Sequence, residues 1–162
     1  MDSKKMILTA LLIAVVTVTT MVVNIPMPAV KGYINIGDTV VLLSGLVFGP
    51  AVGAAAGAIG SSLADLLLGY AYWAPWTFVI KGLEGLLAGL LVGGMHKFTF
   101  SRAAVGASVA AIVMILGYFL TSTILYGVGT ASVALPGDLL QGGVSVVLSL
   151  FLVRPIRKYL GE

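Results

Sequence analysis

The chain has 162 residues, of which 59% are hydrophobic and only 9% are charged, and its formal net charge is +3. With a mean hydropathy of +1.12, this composition excludes a soluble domain, which needs a charged surface. Apolar stretches recur along the whole length, so we expect one integral membrane domain over residues 1–162.

A membrane-spanning helix needs about 20 residues at 1.5 Å each to cross a hydrocarbon core of about 30 Å. Six apolar segments predict an all-α integral membrane protein with six transmembrane helices in one bundle. In chain order they cover residues 5–23, 34–48, 51–68, 75–95, 103–125 and 136–153. The first is too long for a secretory signal, and no small-residue cleavage site follows it. The second is the shortest, and a re-entrant segment is the alternative there.

The basic residues predict the orientation of the bundle. With six crossings, one side of the membrane has only Lys31 in its loops, and the other lysines and arginines outside the predicted helix interiors fall on the opposite side. These are Lys4, Lys5, Lys97, Arg102, Arg154, Arg157 and Lys158. The positive-inside rule then places both termini in the cytoplasm.

Ionisable residues occur within or at the ends of the predicted helices, all in the outer half of the membrane: Asp38, Asp65, Lys81, Glu84 and Asp138. A charge near the bilayer centre costs roughly 3 kcal/mol, so such a residue usually faces a cavity, a partner or a substrate. Polar and aromatic side chains share this depth. They are Asn35, Tyr70, Tyr72, Trp73, Trp76, Tyr118, Thr121, Ser122, Gln141 and Ser145. The pattern predicts a polar pocket that opens outward.

A purely structural interpretation of these residues is the alternative. Lys81 and Glu84 are three residues apart, which suits an ion pair within one helix. Asp38 and Asp138 stand where the second and sixth helices are predicted to begin, and each would then be a helix N-cap. For Asp138 the preceding Pro136 and Gly137 favour such a helix start.

Small residues recur at four-residue spacing, which lets helices approach closely in lipid. Gly49, Gly53 and Gly57 form one series, and Gly85, Gly89 and Gly93 form a second, so we predict packing inside the bundle. On the first helix, Ala10 and Ala14 suit either internal packing or a face for another membrane subunit.

The chain lacks the residues that several kinds of chemistry require. There is no cysteine, and no G-x-x-x-x-G-K-[ST] loop is present to bind ATP phosphates, so we expect that this chain does not hydrolyse ATP. We expect no cofactor and no metal, and we interpret His96, beside Lys97, as a solvated helix end. The competing hypothesis is a membrane hydrolase that uses Asp65 and Glu84.

Several short motifs resemble the substrate-binding S components of energy-coupling factor (ECF) vitamin transporters, in the group with riboflavin-type and hydroxymethylpyrimidine or pyridoxine-type members. The motifs are Gly32-Tyr33-Ile34-Asn35-Ile36-Gly37-Asp38, Phe48-Gly49-Pro50, Gly60-Ser61-Ser62-Leu63-Ala64-Asp65, Trp73-Ala74-Pro75-Trp76 and Lys81-Gly82-Leu83-Glu84-Gly85. The resemblance implies vitamin capture from outside, with a transmembrane coupling (T) subunit and two cytoplasmic ATPases. It also implies that Ala10 and Ala14 contact the coupling subunit, because the family carries an A-x-x-x-A motif there.

The resemblance and the polar residues together predict the substrate site. A heterocycle would stack on Trp73, Trp76 or Tyr118, while hydrogen-bonding side chains hold its polar edge. The predicted substrate-binding residues are Asn35, Asp38, Asp65, Trp73, Trp76, Lys81, Glu84, Tyr118 and Gln141. Because the acids outnumber the one pocket lysine, a pyrimidine or pyridine vitamin is the first choice and riboflavin the alternative. Asp138 departs from the family, whose sixth helix often has an asparagine here.

Overall fold

The computed structural model describes residues 3–93 and 98–161 as a bundle of helices with one small hairpin. The helices are α1 (Ser3–Val22), α2 (Gly37–Phe48), α3 (Pro50–Leu67), α4 (Ala74–Val92), α5 (Phe100–Tyr126) and α6 (Val128–Tyr159). Five of them are long and apolar enough to cross a membrane. The exception is α2, whose 12 residues span only about 18 Å at 1.5 Å each.

A β-hairpin between α1 and α2 is the main departure from the predicted fold. Strands β1 (Asn24–Met27) and β2 (Gly32–Asn35) pair antiparallel, with Ile25 opposite Ile34. The turn between them contains a short 3₁₀ segment, Pro28–Val30. The second helix was predicted to begin at residue 34, which is wrong, because residues 32–35 are extended. The membrane part is all-α, as predicted, and the hairpin covers one end of it.

The last helix begins eight residues before its predicted start at Pro136. It contains both Pro136 and Pro155, since neighbouring helices can supply partners for the backbone groups that a proline leaves free. Asp138 therefore lies inside α6, and its interpretation as an N-cap is wrong. Asp38 lies in the first turn of α2, but its N-cap position is Ile36 and no side chain caps that end.

The other helices follow the predicted segments with shifted ends. In α3, a π-helical turn over Ala56–Ser61 separates two α-helical parts, and such turns are frequent at functional sites. The predicted fourth helix ran to Met95; α4 ends at Val92, and Met95, His96 and Lys97 lie outside the described residues.

Close helix packing explains much of the glycine pattern. A Cβ on Gly53 or Gly85 would collide with the backbone of the other, and a Cβ on Gly57 would collide with the carbonyl of Lys81. These contacts confirm internal packing at those positions. Gly49 and Gly93 instead have positive φ angles of 94° and 80° and end helices.

The apolar core lies away from the hairpin. Its largest cluster joins α2, α4, α5 and α6 through small and aliphatic side chains such as Leu46, Ala88 and Ala107. A separate cluster of Val30, Trp73 and Ala134 lies beneath the hairpin turn.

Candidate functional site

A buried ion-pair cluster joins α2 to α4. The Lys81 Nζ lies 2.5 Å from Asp38 Oδ1 and 3.0 Å from Glu84 Oε2. Lys81 is 1% exposed, Asp38 1% and Glu84 0%. The pair predicted within the fourth helix is present, and Asp38, 43 residues away in sequence, completes it. One lysine thus lies between two carboxylates, which stabilises charges that could not be buried alone.

Gln141 on α6 links this cluster to the hairpin. Its Nε2 donates to Asp38 Oδ2 at 2.9 Å, and its Oε1 accepts the backbone N–H of Asn35 at 2.7 Å. The Asn35 side chain in turn accepts the N–H of Gly37 at 2.8 Å. Residues from β2, α2, α4 and α6 are therefore held by one continuous polar network.

A cavity of about 520 Å³, including its mouth, lies between this network and the hairpin. Small-molecule sites typically combine apolar walls with a few polar groups. The residues that line it are Thr20, Met27, Val30, Gly32, Tyr33, Asn35, Ser61, Asp65, Trp73, Thr77, Lys81, Tyr118, Ser122, Asp138 and Gln141. The cavity can therefore enclose a small polar ligand.

The hairpin supplies a hydrogen-bond donor to one of the two carboxylate oxygens of Asp65 on α3. The hydroxyl of Tyr33 donates to Asp65 Oδ1 at 2.6 Å. Thr77 lies beside this carboxylate, but the buried Oδ2 has no hydrogen-bond partner of ordinary geometry. Burial, followed by the nearby Asp65 charge, raises the pKa of Tyr33 far above its usual 10. Tyr33 is therefore a neutral hydrogen-bond donor at physiological pH.

Aromatic side chains form the wall under the hairpin turn. Trp73 is 5% exposed, and its Nε1 donates to the carbonyl of Val30 at 3.3 Å. The rings of Trp73 and Tyr118 meet edge to face, with centroids 5.8 Å apart. The Tyr118 hydroxyl donates to Thr77 at 3.2 Å, and Lys81 Nζ lies 5.4 Å from the centre of its ring. Both rings line the cavity.

The structure separates the predicted site residues into three groups. Those that line the cavity are Asn35, Asp65, Trp73, Lys81, Tyr118 and Gln141. Asp38 and Glu84 lie behind Lys81 and hold its ammonium group. Trp76 is 39% exposed and is outside the lining. It is next to Thr77, which does line the cavity, and adjacent helix residues point about 100° apart.

Sequence reasoning missed several lining residues, including Thr20, Met27, Tyr33 and Ser61. The alternation of a β-strand places Tyr33 and Asn35 on one face, so a predicted hairpin would have identified Tyr33 once Asn35 was chosen. For Thr20 the sequence carries no comparable signal, because the surrounding residues are also threonine, methionine and valine.

The two alanines of α1 are not part of the polar site. Ala10 and Ala14 are both exposed on the bundle surface. Val16, Thr17 and Thr20 of the same helix are buried instead. Packing inside this chain therefore does not account for the two alanines.

Comparison with known proteins identifies the family. The family model described as "ECF-type riboflavin transporter, S component" matches residues 1–158. The chain belongs to this family. S components are multi-pass membrane proteins that bind substrate for ECF transporters in vitamin uptake, and they work with a T component and ATPases. The family match confirms the resemblance drawn from the motifs. Because the family is not an enzyme family, the hydrolase hypothesis is removed.

Individual proteins are also similar to this chain. The S component is 41% identical over 146 residues to a Pyrococcus woesei protein described as an uncharacterized protein in a gap 3′ region; the match covers 90% of this chain and 97% of that one. A UPF0397 protein of Streptococcus pneumoniae is 41% identical over 69 residues, or 42% of this chain and 37% of its own. A solved S component of a bacterial ECF transporter shares the fold, with a TM-score of 0.80, 22% identity and complete coverage of both chains.

Proposed function

We propose that this S component captures a small heteroaromatic vitamin or vitamin precursor carrying amine or hydroxyl groups, of the hydroxymethylpyrimidine, thiamine-related or pyridoxine type. The observation that carries the proposal is the unpartnered Oδ2 of Asp65 in a cavity walled by Trp73 and Tyr118. A buried acceptor without a partner favours a ligand that brings a donor and disfavours one that lacks it. The two rings offer stacking or edge contacts to a flat heterocycle.

The charge distribution supports the same substrate class. Asp38 and Glu84 already outnumber Lys81. Asp65 and Asp138 add two carboxyl groups to the cavity, and neither forms a salt bridge with a residue in 3–93 or 98–161. A polyanionic vitamin such as a folate would face this excess of acidic groups. A neutral or cationic ring with exocyclic donors would instead meet acceptors.

Riboflavin is the second candidate, and the description of the matching family model favours it. Its ring system is also flat and carries hydrogen-bonding groups. It differs from the first class in size and in its ribityl chain, so the two candidates are separated by direct binding measurements.

The test begins with mass spectrometry of small molecules released from the gently purified protein. Titrations with hydroxymethylpyrimidine, pyridoxine and riboflavin follow, on the native chain and on Asp65→Asn. We expect one of the first two to bind, with affinity at least tenfold weaker in the variant, since a hydrogen bond to a charged group contributes about 1.5–3 kcal/mol. Riboflavin binding alone would favour the second candidate. No released molecule and no binding by any of the three would refute both.

We also propose that both termini are cytoplasmic and that the cavity opens to the outside. The bias of basic residues toward one side supports this orientation. Because the chain has no cysteine, single cysteines in place of Lys31 and Lys158 can be labelled without background. An impermeant thiol reagent applied to intact cells should label the first and not the second; the opposite result would reverse the topology.

A further inference from the structure

Both ends of the Gln141 amide are committed, which fixes its orientation. The backbone N–H of Asn35 can only donate, so the Gln141 atom 2.7 Å away must be the amide oxygen. The amide nitrogen then donates to the Asp38 carboxylate, which can only accept while ionised. Gln141 is 6% exposed and Asp38 is 1% exposed, so the bond between them is buried, and the bond to Asn35 is partly buried.

These two bonds connect elements that the backbone does not connect. Asn35 is the last residue of β2, and its N–H donates to Gln141 on α6. Asp38 belongs to α2 and also pairs with Lys81. The turn of the hairpin is held separately, because the Tyr72 hydroxyl donates to the carbonyl of Lys31 and the Trp73 Nε1 donates to that of Val30.

We propose that Gln141 is a positioning residue that fixes the Asn35 end of the hairpin over the cavity, and that Asp38 sets the direction of the Gln141 amide. The position of the hairpin then depends on the buried ion pair, although Lys81 does not contact it by any hydrogen bond among the described residues. This goes beyond the proposed function, because it holds for any ligand and for the empty protein.

The chemistry of the amide gives a direct test of the link. In Asp38→Asn, the new side chain must turn its oxygen toward Lys81 and its NH₂ toward Gln141. Two NH₂ groups then face each other. Rotating the Gln141 amide would only move the conflict to the N–H of Asn35. In the fraction of molecules that rotate the Gln141 amide, Asn35 loses its acceptor although neither bonding partner has been changed.

The reciprocal exchange should restore the chain of hydrogen bonds. In the double variant Asp38→Asn/Gln141→Glu, one carboxylate oxygen of residue 141 accepts from residue 38 and the other accepts from Asn35. The pair keeps the same total charge and nearly the same volume. Gln141→Met is the variant that removes both bonds, and Gln141→Asn, one methylene shorter, replaces it where a folded sample is not obtained.

The measurement is hydrogen exchange at the Asn35 amide in the ligand-free, full-length protein. We expect exchange to be about five- to tenfold faster in Gln141→Met and in Asp38→Asn, as for loss of one hydrogen bond, and near the native rate in the double variant. The Ile34 amide and the amides of α5 serve as internal references, and Ser145→Ala on the same helix is the matched control.

Three results would overturn the proposal: an unchanged Asn35 rate in Gln141→Met, no recovery in the double variant, or equal acceleration at Asn35, Ile34 and α5. The last would show general destabilisation in place of local positioning. None of these outcomes depends on which vitamin binds, so failure here is distinguishable from failure of the proposed function.

Discussion

The hydroxyl of Tyr33, on the hairpin, donates a 2.6 Å hydrogen bond to Asp65, on α3. This bond closes the cavity on one side and occupies one of the two carboxylate oxygens. It joins residues 32 positions apart, and it gives a ligand at Asp65 Oδ2 a fixed neighbour. The first prediction concerns its loss.

Tyr33→Phe should speed ligand dissociation by about tenfold, since a hydrogen bond to a carboxylate contributes about 1.5–3 kcal/mol. The measurement is the dissociation rate of the bound vitamin. Tyr70→Phe is the matched control, because its ring contacts that of Tyr33 at 4.9 Å. Equal dissociation rates in native protein and Tyr33→Phe would contradict a role in retention.

The donor of the same bond should not ionise in the physiological range. Burial and Asp65 raise the pKa of Tyr33 above its usual 10, so the neutral, donating form of Tyr33 persists at pH values below 10. The ratio of dissociation rates between Tyr33→Phe and native protein should therefore stay the same from neutral pH to pH 9. A ratio that falls toward one at pH 9 would show that Tyr33 ionises earlier.

Lys81→Met should abolish tight binding and destabilise the fold by about 3–5 kcal/mol, because Asp38 and Glu84 lose their cation while buried. Ligand titration and thermal unfolding measure the two effects. The triple variant Asp38→Asn/Lys81→Met/Glu84→Gln removes the unpaired charges, so it should recover much of the stability but not the affinity. Unchanged vitamin affinity in Lys81→Met would show that the cavity is not the binding site.

Ala10→Leu and Ala14→Leu should block vitamin uptake while leaving vitamin affinity unchanged. Both alanines are exposed, so a larger side chain meets nothing inside this chain but obstructs a close helix contact with a partner. Uptake in cells with the complete transporter and titration of the isolated subunit give the two readouts. Val15→Leu, on another exposed part of α1, is the control. Loss of vitamin binding would instead make the alanines internal packing residues.

Gly85→Ala should destabilise the bundle by about 1–3 kcal/mol, as overpacking does, because its Cβ would meet the backbone of Gly53. Gly143→Ala is the matched control: Gly143 lies in α6 with nothing near its Cβ position, and alanine favours a helix over glycine by about 1 kcal/mol. Thermal unfolding should therefore shift down for the first and stay level or rise for the second. Equal shifts would mean that α3 and α4 separate easily.

The amino-acid sequence was sufficient to establish that this is a membrane protein, and to predict most of its helices and its conspicuous charged residues. The thickness of a bilayer sets how long an apolar segment must be to cross it. The membrane helices were therefore predictable from the apolar segments, to within several residues at most ends. The short motifs between Gly32 and Gly85 were sufficient to predict the family. Because charge is rare in membranes, Lys81, Glu84 and Asp65 were conspicuous from their positions in apolar segments alone.

Which of these residues meet depends on the tertiary structure. Hydropathy could not reveal the hairpin, because Ile34 and Ile36 suit a strand as well as a helix, nor the passage of α6 through Pro136. Lys81 pairs with Asp38, which is 43 positions away. Gln141 donates a hydrogen bond to Asp38 across 103 positions. Such contacts are set by how helices pack, and helical phase within one segment carries no information about its neighbours. For the same reason Trp76 lies outside the cavity, although the next residue in the sequence, Thr77, lines it.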